Sequence, residues 1–442
     1  MKTGIAALLK CAAIFLLILV IASAVGAGLL AAASLLPQKA VTSRLEQSLE
    51  QLTYEGNYPH VYDKNASSNQ LDNFSEAIIL SESYYLDKSW RAVWENPFYN
   101  TEPSDPTGAL ALSVTSGETA NRTYSRYWGG FRAYCRALLC FFNYTQIRTV
   151  LSFCFFALLF AAAYTFLKHG GVLSAAVFTG GIILIKPWIV CSSMQFSCCF
   201  ILAFVFVTVA PYFFKKGVPA VYFFFAAACV TQFFDFYTTP TVTFGLPMCL
   251  YLVINRGQGA SRNFAGFIKS FAAWIAGYIL MWLSKLSLTC IFTAENAFTE
   301  AFSAVERRIG SEKIPGREDT YNALKAVKEA AKAMFTSKKF LVLTLLLFVL
   351  LIIVCIVKRT RLAPGGRNIP LAARLPEASV FLAAAAIPFL WFAVAASPTV
   401  IHSFFQYRTA VTVPIAAGLF IESLLCSETA QPGKTGARIS LK

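Results

Sequence analysis

The stretch KCAAIFLLILVIASAVGAGLLAAASLL, residues 10–36, carries one charge at its start and none after it. A helix needs about 20 mainly apolar residues to cross a bilayer, so this run is long enough to span. A basic start before an apolar run is also the pattern of a secretory leader, whose apolar core is usually about 7–15 residues. Residues 10–36 exceed that length and read as an uncleaved helix, with cleavage near Ala31–Ala33 as the alternative.

Outward from this helix the chain is polar from Pro37 to about Tyr144, then apolar almost to its end. Further spans read near 147–167, 171–189, 196–214, 218–234, 240–254, 264–292, 339–357, 378–396 and 409–426, which with the first makes ten. The composition agrees. Hydrophobic types make up 57% of the 442 residues and charged types 14%, against about 25% charged in a soluble chain. Mean hydropathy is +0.58. These values exclude a disordered chain and argue against a soluble enzyme. The net charge of +15 does not call for nucleic acid, because basic residues gather at the cytoplasmic borders of membrane helices.

That preference tests the span assignment. With the N-terminus inside, the inner turns hold Lys168 and His169, then Lys215 and Lys216, then Arg256 and Arg262. Lys358, Arg359, Arg361, Arg367 and Arg374 follow, and the tail holds Lys434, Arg438 and Lys442. Every inner segment is basic, which a one-span error would break. The fold expected is all-α: a polytopic membrane protein with about ten transmembrane helices and amphipathic interfacial helices in its outer loops. Its parts are a first helix (1–36), an outer loop (37–145), a six-helix block (146–292), a second outer helical loop (293–338), three C-terminal spans (339–426) and a cytoplasmic tail (427–442). Both termini are then cytoplasmic, and the plasma membrane is the expected location.

The outer loop holds the stretch LDNFSEAIIL, residues 71–80. Asp72 suits an N-cap, and Glu76 follows four residues later, so both carboxylates project to one side of a helix. Earlier in the loop, Leu45, Leu49 and Leu52 form a helical stripe, while 96–117 reads as coil. The loop closes with YSRYWGGFRAYCRALLCFFNY, residues 124–144. Arg132 and Arg136 share a helical face there, with aromatics on the others. This reads as an interfacial helix whose arginines reach lipid phosphate.

In 293–338, Phe298, Phe302, Val305 and Ile309 form one stripe and Leu324, Val327, Ala331 and Met334 or Phe335 another, with Gly310 and Pro315-Gly316 between them. Glu306, Arg307 and Arg308 form a charge cluster. Short outer caps contain Lys186-Pro187-Trp188, Asp235 to Pro240 and Ser397 to Arg408.

No CxxC pair occurs, and the histidines are His60, His169 and His402, so a His-based zinc site is not expected. A divalent cation such as Mg or Mn, held by carboxylates, stays open. Sequons stand at Asn65, Asn73, Asn121 and Asn143. Together the outer face presents Arg126, Arg132, Arg136, Lys186, Arg307, Arg308, His402 and Arg408 as phosphate-binding candidates. Asp72, Glu76 and Asp235 stand beside them as catalytic carboxylates. Such a set suits activation of a hydroxyl next to a lipid phosphate: a carboxylate takes the proton and the arginines stabilise the leaving phosphate.

This layout resembles the GT-C class of membrane glycosyltransferases. The residues that carry the likeness are Asp72-Asn73-Phe74-Ser75-Glu76, the stretch Tyr127-Trp128-Gly129-Gly130-Phe131-Arg132, and Asp235. The resemblance implies a sugar donor linked to polyprenyl phosphate, a glycan, lipid or protein acceptor, and transfer on the outer side of the membrane. Many members carry an acid soon after the first span. Here that place reads Pro37-Gln38-Lys39-Ala40 and the first acid is Glu46, so the base falls to Asp72 or Glu76. Two other readings stand beside this one. A transporter or lipid flippase would favour internal repeats and mid-membrane charges. A non-catalytic scaffold would use the first loop as a separate binding domain.

Overall fold

The computed structural model describes residues 2–62, 66–236, 238–309, 321–336, 338–361 and 370–426. Helix α1 (Lys2–Ser34) opens the chain. The first loop then folds as α2 (Gln38–Glu55), α3 (Asn73–Tyr84), α4 (Trp90–Glu95), α5 (Pro106–Ser116) and α6 (Phe131–Leu139). A two-residue antiparallel pair, β1 (Pro97–Phe98) with β2 (Arg122–Thr123), ties its middle. Val41, Leu45 and Leu52 of α2 pack against Ile79 and Leu80 of α3 and Phe131 of α6, forming a small core of the loop's own.

The membrane block follows as α7 (Tyr144–Ile183), the short α8 (Pro187–Val190), α9 (Met194–Lys215), α10 (Ala220–Phe234), α11 (Val242–Ile254) and α12 (Ala260–Phe292). Then come α13 (Ala297–Ile309), α14 (Ala323–Met334), α15 (Lys338–Arg361), α16 (Leu371–Ala378) and α17 (Val380–Val394). Two single turns, α18 (Ala396–Ile401) and α19 (Ser403–Gln406), lead into α20 (Thr412–Leu425).

All ten apolar stretches are helical, but seven helical runs in the described residues are long and apolar enough to cross a membrane, with α16 and α17 (Leu371–Val394) and α19 and α20 (Ser403–Leu425) each taken as one run. The difference from ten has two physical sources. Stretches 147–167 and 171–189 belong to the single element α7, which folds back at Gly171, where φ is +82° and ψ is −179°. The rings of Phe166 and Phe178 stack at 4.5 Å, although twelve residues of straight helix would set them about 18 Å apart. Only glycine adopts that φ without strain. In addition, α10 has 15 residues and α11 has 13, about 20 Å of helix each, short of the ~30 Å hydrocarbon core. Helix α11 is apolar on every face, and all of Val242 to Val253 is buried, as expected of a helix enclosed by others. At the other extreme, α1 and α15 leave Leu16, Val20, Leu343 and Leu346 more than half exposed. Hydrocarbon is the solvent that tolerates such surfaces.

The first loop is not a separate body. It lies across one end of the spans. Trp128 Nε1 donates to Met281 O at 2.7 Å, and Gly130 N donates to Phe233 O at 2.9 Å. A Cβ on Gly130 would stand 2.6 Å from that same carbonyl oxygen, so the Trp128-Gly129-Gly130 step is what lets the loop backbone touch α10. The caps before α8, after α10 and around α18 gather at this end too. The opposite end collects the turns expected to be cytoplasmic. There Arg256 pairs with Glu422 at 2.9 Å, Ser174 donates to Glu422 at 2.7 Å, and Gly257 N donates to Glu377 at 2.6 Å. The tail and Arg367 lie outside the described residues.

The loop segments differ from expectation in two places: α5 (Pro106–Ser116) stands in the stretch 96–117 that reads as coil, and the buried face of α14 is not the expected stripe. On α14 the buried face is Ala326, Ala330, Ala333 and Met334, while Leu324 points outward. Small alanines let α14 approach Phe392 and Tyr407 closely, with Met334 in the same core and Val327 and Phe335 packed partly buried beside it. Asn73 is fully buried, its Nδ2 donating to Glu55 at 2.8 Å and to Gly56 O at 3.0 Å. Its sequon is therefore structural. Asn65 lies outside the described residues.

Candidate functional site

Asp72 caps α3 as its sequence predicts, accepting Ser75 N at 3.1 Å and Ser75 Oγ at 2.8 Å. The cap sets the carboxylate at the mouth of a cavity of about 680 Å³ on the loop end of the molecule. Burial raises the Asp72 pKa to about 6; the Ser75 bonds pull it down and the nearby Glu76 charge pushes it up. A carboxylate that titrates near neutrality can take a proton from an alcohol and release it again.

The cavity continues as an apolar slot between α12 and α17. On α12 the lining runs Trp274, Tyr278, Trp282 at a four-residue spacing, one stripe of a helix. On α17, Ile387, Leu390, Trp391 and Val394 face it, and Ala301, Ala304 and Val305 of α13 close the top. Ile275 and Ile279 on one wall and Leu390 and Val394 on the other remain 39–57% exposed. The slot is thus open along its flank instead of sealed. Its polar lining includes Asp72, Arg126, Gln195, His402 and Gln406.

Arg126 stands there in a fixed frame. It pairs with Glu300 of α13, and its guanidinium lies 4.5 Å over the Tyr124 ring and 4.8 Å over the Tyr127 ring. Trp282 Nε1 donates to the Arg126 carbonyl at 3.0 Å. His402 stacks on Phe405 with ring centroids 5.5 Å apart. Asp235 is buried directly below the lining. It accepts Tyr278 OH at 2.9 Å, Thr238 N at 3.1 Å and Cys199 Sγ at 3.2 Å, and so orients the Tyr278 side chain that lines the slot.

Glu76 has a different role from the one its spacing suggests. It is fully buried and accepts Tyr144 OH at 2.9 Å, Ser193 Oγ at 2.5 Å and Gln195 N at 3.0 Å. A carboxylate at the N-terminus of α9 satisfies its first N–H groups and its dipole.

Four of the basic candidates are also drawn inward. Arg132 donates to the carbonyls of Ala92 at 2.7 Å, Val93 at 3.0 Å, Trp128 at 3.3 Å and Gly129 at 3.1 Å. Arg136 donates to Ala33, Leu36, Ser83 and Tyr84 carbonyls and to Gln38 Oε1, all within 3.1 Å. Arg408 donates to the carbonyls of Ile185, Phe404 and Ser68, and Lys186 to Ser68 Oγ and Asn69 Oδ1. This corrects the expectation of headgroup contacts for Arg132 and Arg136. The last carbonyls of α1, α3, α4 and α7 have no intrahelical partner, and a cation at a helix C-terminus also meets the negative end of its dipole. The side chains of Arg307 and Arg308 lie outside the described residues.

A second buried cluster, formed by Glu82, Arg132 and Lys285, joins the first loop to α12. Glu82 is fully buried, its carboxylate 4.0 Å from Arg132 Nε, with no hydrogen-bond partner among the described residues. Burial pushes its pKa to about 8 against the pull of Arg132 and Lys285, and Arg132 down to about 10. Lys285, fully buried in α12, donates to Trp94 O and lies 5.5 Å over the Trp94 ring. The signal for it was a lone lysine inside an apolar run.

Among the described residues no three of His, Cys, Asp and Glu gather closely enough to hold a metal ion. Asp72, Glu76 and Asp235 each have a separate set of partners, so no step is derived through a cation. Comparison of the chain with family models, with curated proteins and with solved structures finds no match.

Proposed function

We propose that this chain is a membrane glycosyltransferase of the GT-C type, working at the end of the membrane block that carries the first loop. The observation that carries this reading is one cavity whose lining joins Asp72 and Arg126 to an apolar slot between α12 and α17. A polyprenyl-phosphate sugar has the same sequence of parts: hydrocarbon, phosphate, sugar. The hydrocarbon lies in the slot and the phosphate meets Arg126. The acceptor hydroxyl oxygen attacks the anomeric carbon as its proton passes to Asp72. The bond from that carbon to the phosphate oxygen breaks, and the polyprenyl phosphate leaves with the electron pair, its charge met by Arg126. The reading has both termini on the cytoplasmic side and the reaction outside, at the plasma membrane, in keeping with the basic inner turns.

The first loop packs across the spans through Trp128, Gly130 and Lys285, which favours a loop that builds a membrane-side site over an independent binding domain. The test is sugar transfer from a polyprenyl-phosphate donor by the full chain in bilayers. Asp72→Asn is expected to lose transfer by about a hundredfold or more, the size of a general-base contribution. Asp235→Asn, which acts through Tyr278, is expected to lose less. Full activity in Asp72→Asn overturns the assignment.

A further inference from the structure

Three polar atoms that line the cavity have no hydrogen-bond partner among the described residues: Gln195 Oε1, Thr241 Oγ1 and Trp274 Nε1. All three side chains are more than nine-tenths buried. They come from three separate elements, α9, the turn before α11, and α12. Buried polar groups are almost always paired, and an unpaired one destabilises the fold. Three in the lining of one cavity mark a place where a ligand supplies the missing partners.

We infer that Gln195, Thr241 and Trp274 form a subsite in this cavity for a neutral, hydroxyl-rich group, such as the sugar ring of a glycolipid. The chemistry of the set selects the ligand. Gln195 Oε1 accepts, Trp274 Nε1 donates, and the Thr241 hydroxyl does either. A hydroxyl also does either, so a polyol matches all three. None of the three carries a charge, so they do not compete with Arg126 for a phosphate. Trp274 stacks on Tyr278 with centroids 5.3 Å apart, which presents an aromatic wall to the C–H face of a ring. Glu76 holds the Gln195 backbone N–H at 3.0 Å and so fixes where this side chain begins.

The inference rests on the transferase reading for the identity of the polyol, and its test separates the two. The full chain in lipid nanodiscs is titrated with octyl β-glucoside below its micellar concentration and, separately, with octyl phosphate, each read by saturation-transfer NMR. Gln195→Leu and Thr241→Val are each expected to weaken glucoside binding about tenfold, the loss of one buried hydrogen bond. Both leave octyl phosphate binding unchanged, whereas Arg126→Gln weakens the phosphate. Because each replaces an unpaired polar group with an apolar one, both variants also unfold at a higher temperature than the ligand-free parent, a gain that a structural residue would not give. Equal glucoside binding in parent and variants, or none in the parent, overturns the subsite. Glucoside binding that depends on Gln195 in a chain with no transfer activity keeps the subsite and removes the transferase. Transfer activity with glucoside binding indifferent to Gln195 does the reverse.

Discussion

The Glu76 carboxylate accepts the backbone N–H of Gln195 at 3.0 Å, so the helix that places Asp72 also sets where α9 begins. One turn of α3 therefore carries two carboxylates with unlike duties. Asp72 faces the cavity, and Glu76 joins the loop to the membrane block.

Glu76→Ala leaves Ser193 Oγ and Gln195 N without their acceptor, and leaves Tyr144 OH with Asn73 Oδ1 at 3.2 Å. The expected destabilisation is about 2–4 kcal/mol, the loss of charge-assisted bonds to buried donors. Glu76→Gln keeps an acceptor and should lose less. Thermal unfolding in nanodiscs measures both; an alanine variant as stable as the parent would rule out the joining role.

Arg136 and Arg126 should separate stability from activity. Arg136→Lys cannot bridge the carbonyls at the ends of α1 and α3, because an ammonium lacks the planar fork. The loss should be about 3 kcal/mol, as for other broken buried charged contacts. Arg126→Gln removes a partly exposed pair with Glu300 and should change stability by about 0–1 kcal/mol while transfer falls sharply. The opposite pattern would assign the phosphate contact to the wrong arginine.

The Asp72 pKa, raised from 3.8 to about 6 by burial, has two consequences. A group bound more tightly to its proton in the folded state adds stability that is complete below 3.8 and lost as pH rises through 6. Asp72→Asn keeps the cap and escapes this loss. It should match the parent below pH 4 and exceed it at pH 7.5 by up to about 3 kcal/mol. Transfer by the parent should rise across pH 6 as the base ionises. A flat rate profile from pH 5 to 7 would disqualify Asp72 as the base.

Glu82 gives the same sign over a higher window. Its pKa rises from 4.5 to about 8, so its contribution fades as pH climbs through 8. Glu82→Gln should hold its unfolding temperature between pH 7 and pH 9, where the parent loses stability. Parallel curves for the two proteins would show that Glu82 does not titrate there.

How much of this was legible depends on how local the cause is. The Asp72 cap was readable because Ser75, its partner, stands three residues away. The Trp274-Tyr278-Trp282 stripe was present in the sequence at helical spacing, but nothing in α12 alone says whether it faces lipid, protein or a cavity. Arg132 and Arg136 were placed on one helical face correctly. Beyond the local Trp128 and Gly129, however, their backbone partners are carbonyls 39 to 103 residues away, and only the packing of α1, α3 and α4 around α6 brings those carbonyls within reach. Arg132, Arg136 and Arg408, basic residues on the outer side against the orientation rule, thus share a cause: helices that end on this side expose carbonyls that need donors. The fold-back at Gly171 was hidden by the apolar runs that flank it, since an unbroken hydrophobic segment does not report its own reversal.

The open flank between α12 and α17 changes what concentration means for this protein. A ligand with a hydrocarbon tail reaches Asp72 and Arg126 by travelling in the plane of the leaflet, not from bulk water. Occupancy then follows the mole fraction of ligand among the lipids. Adding lipid at fixed ligand should slow turnover in proportion, and diluting the buffer should leave it unchanged.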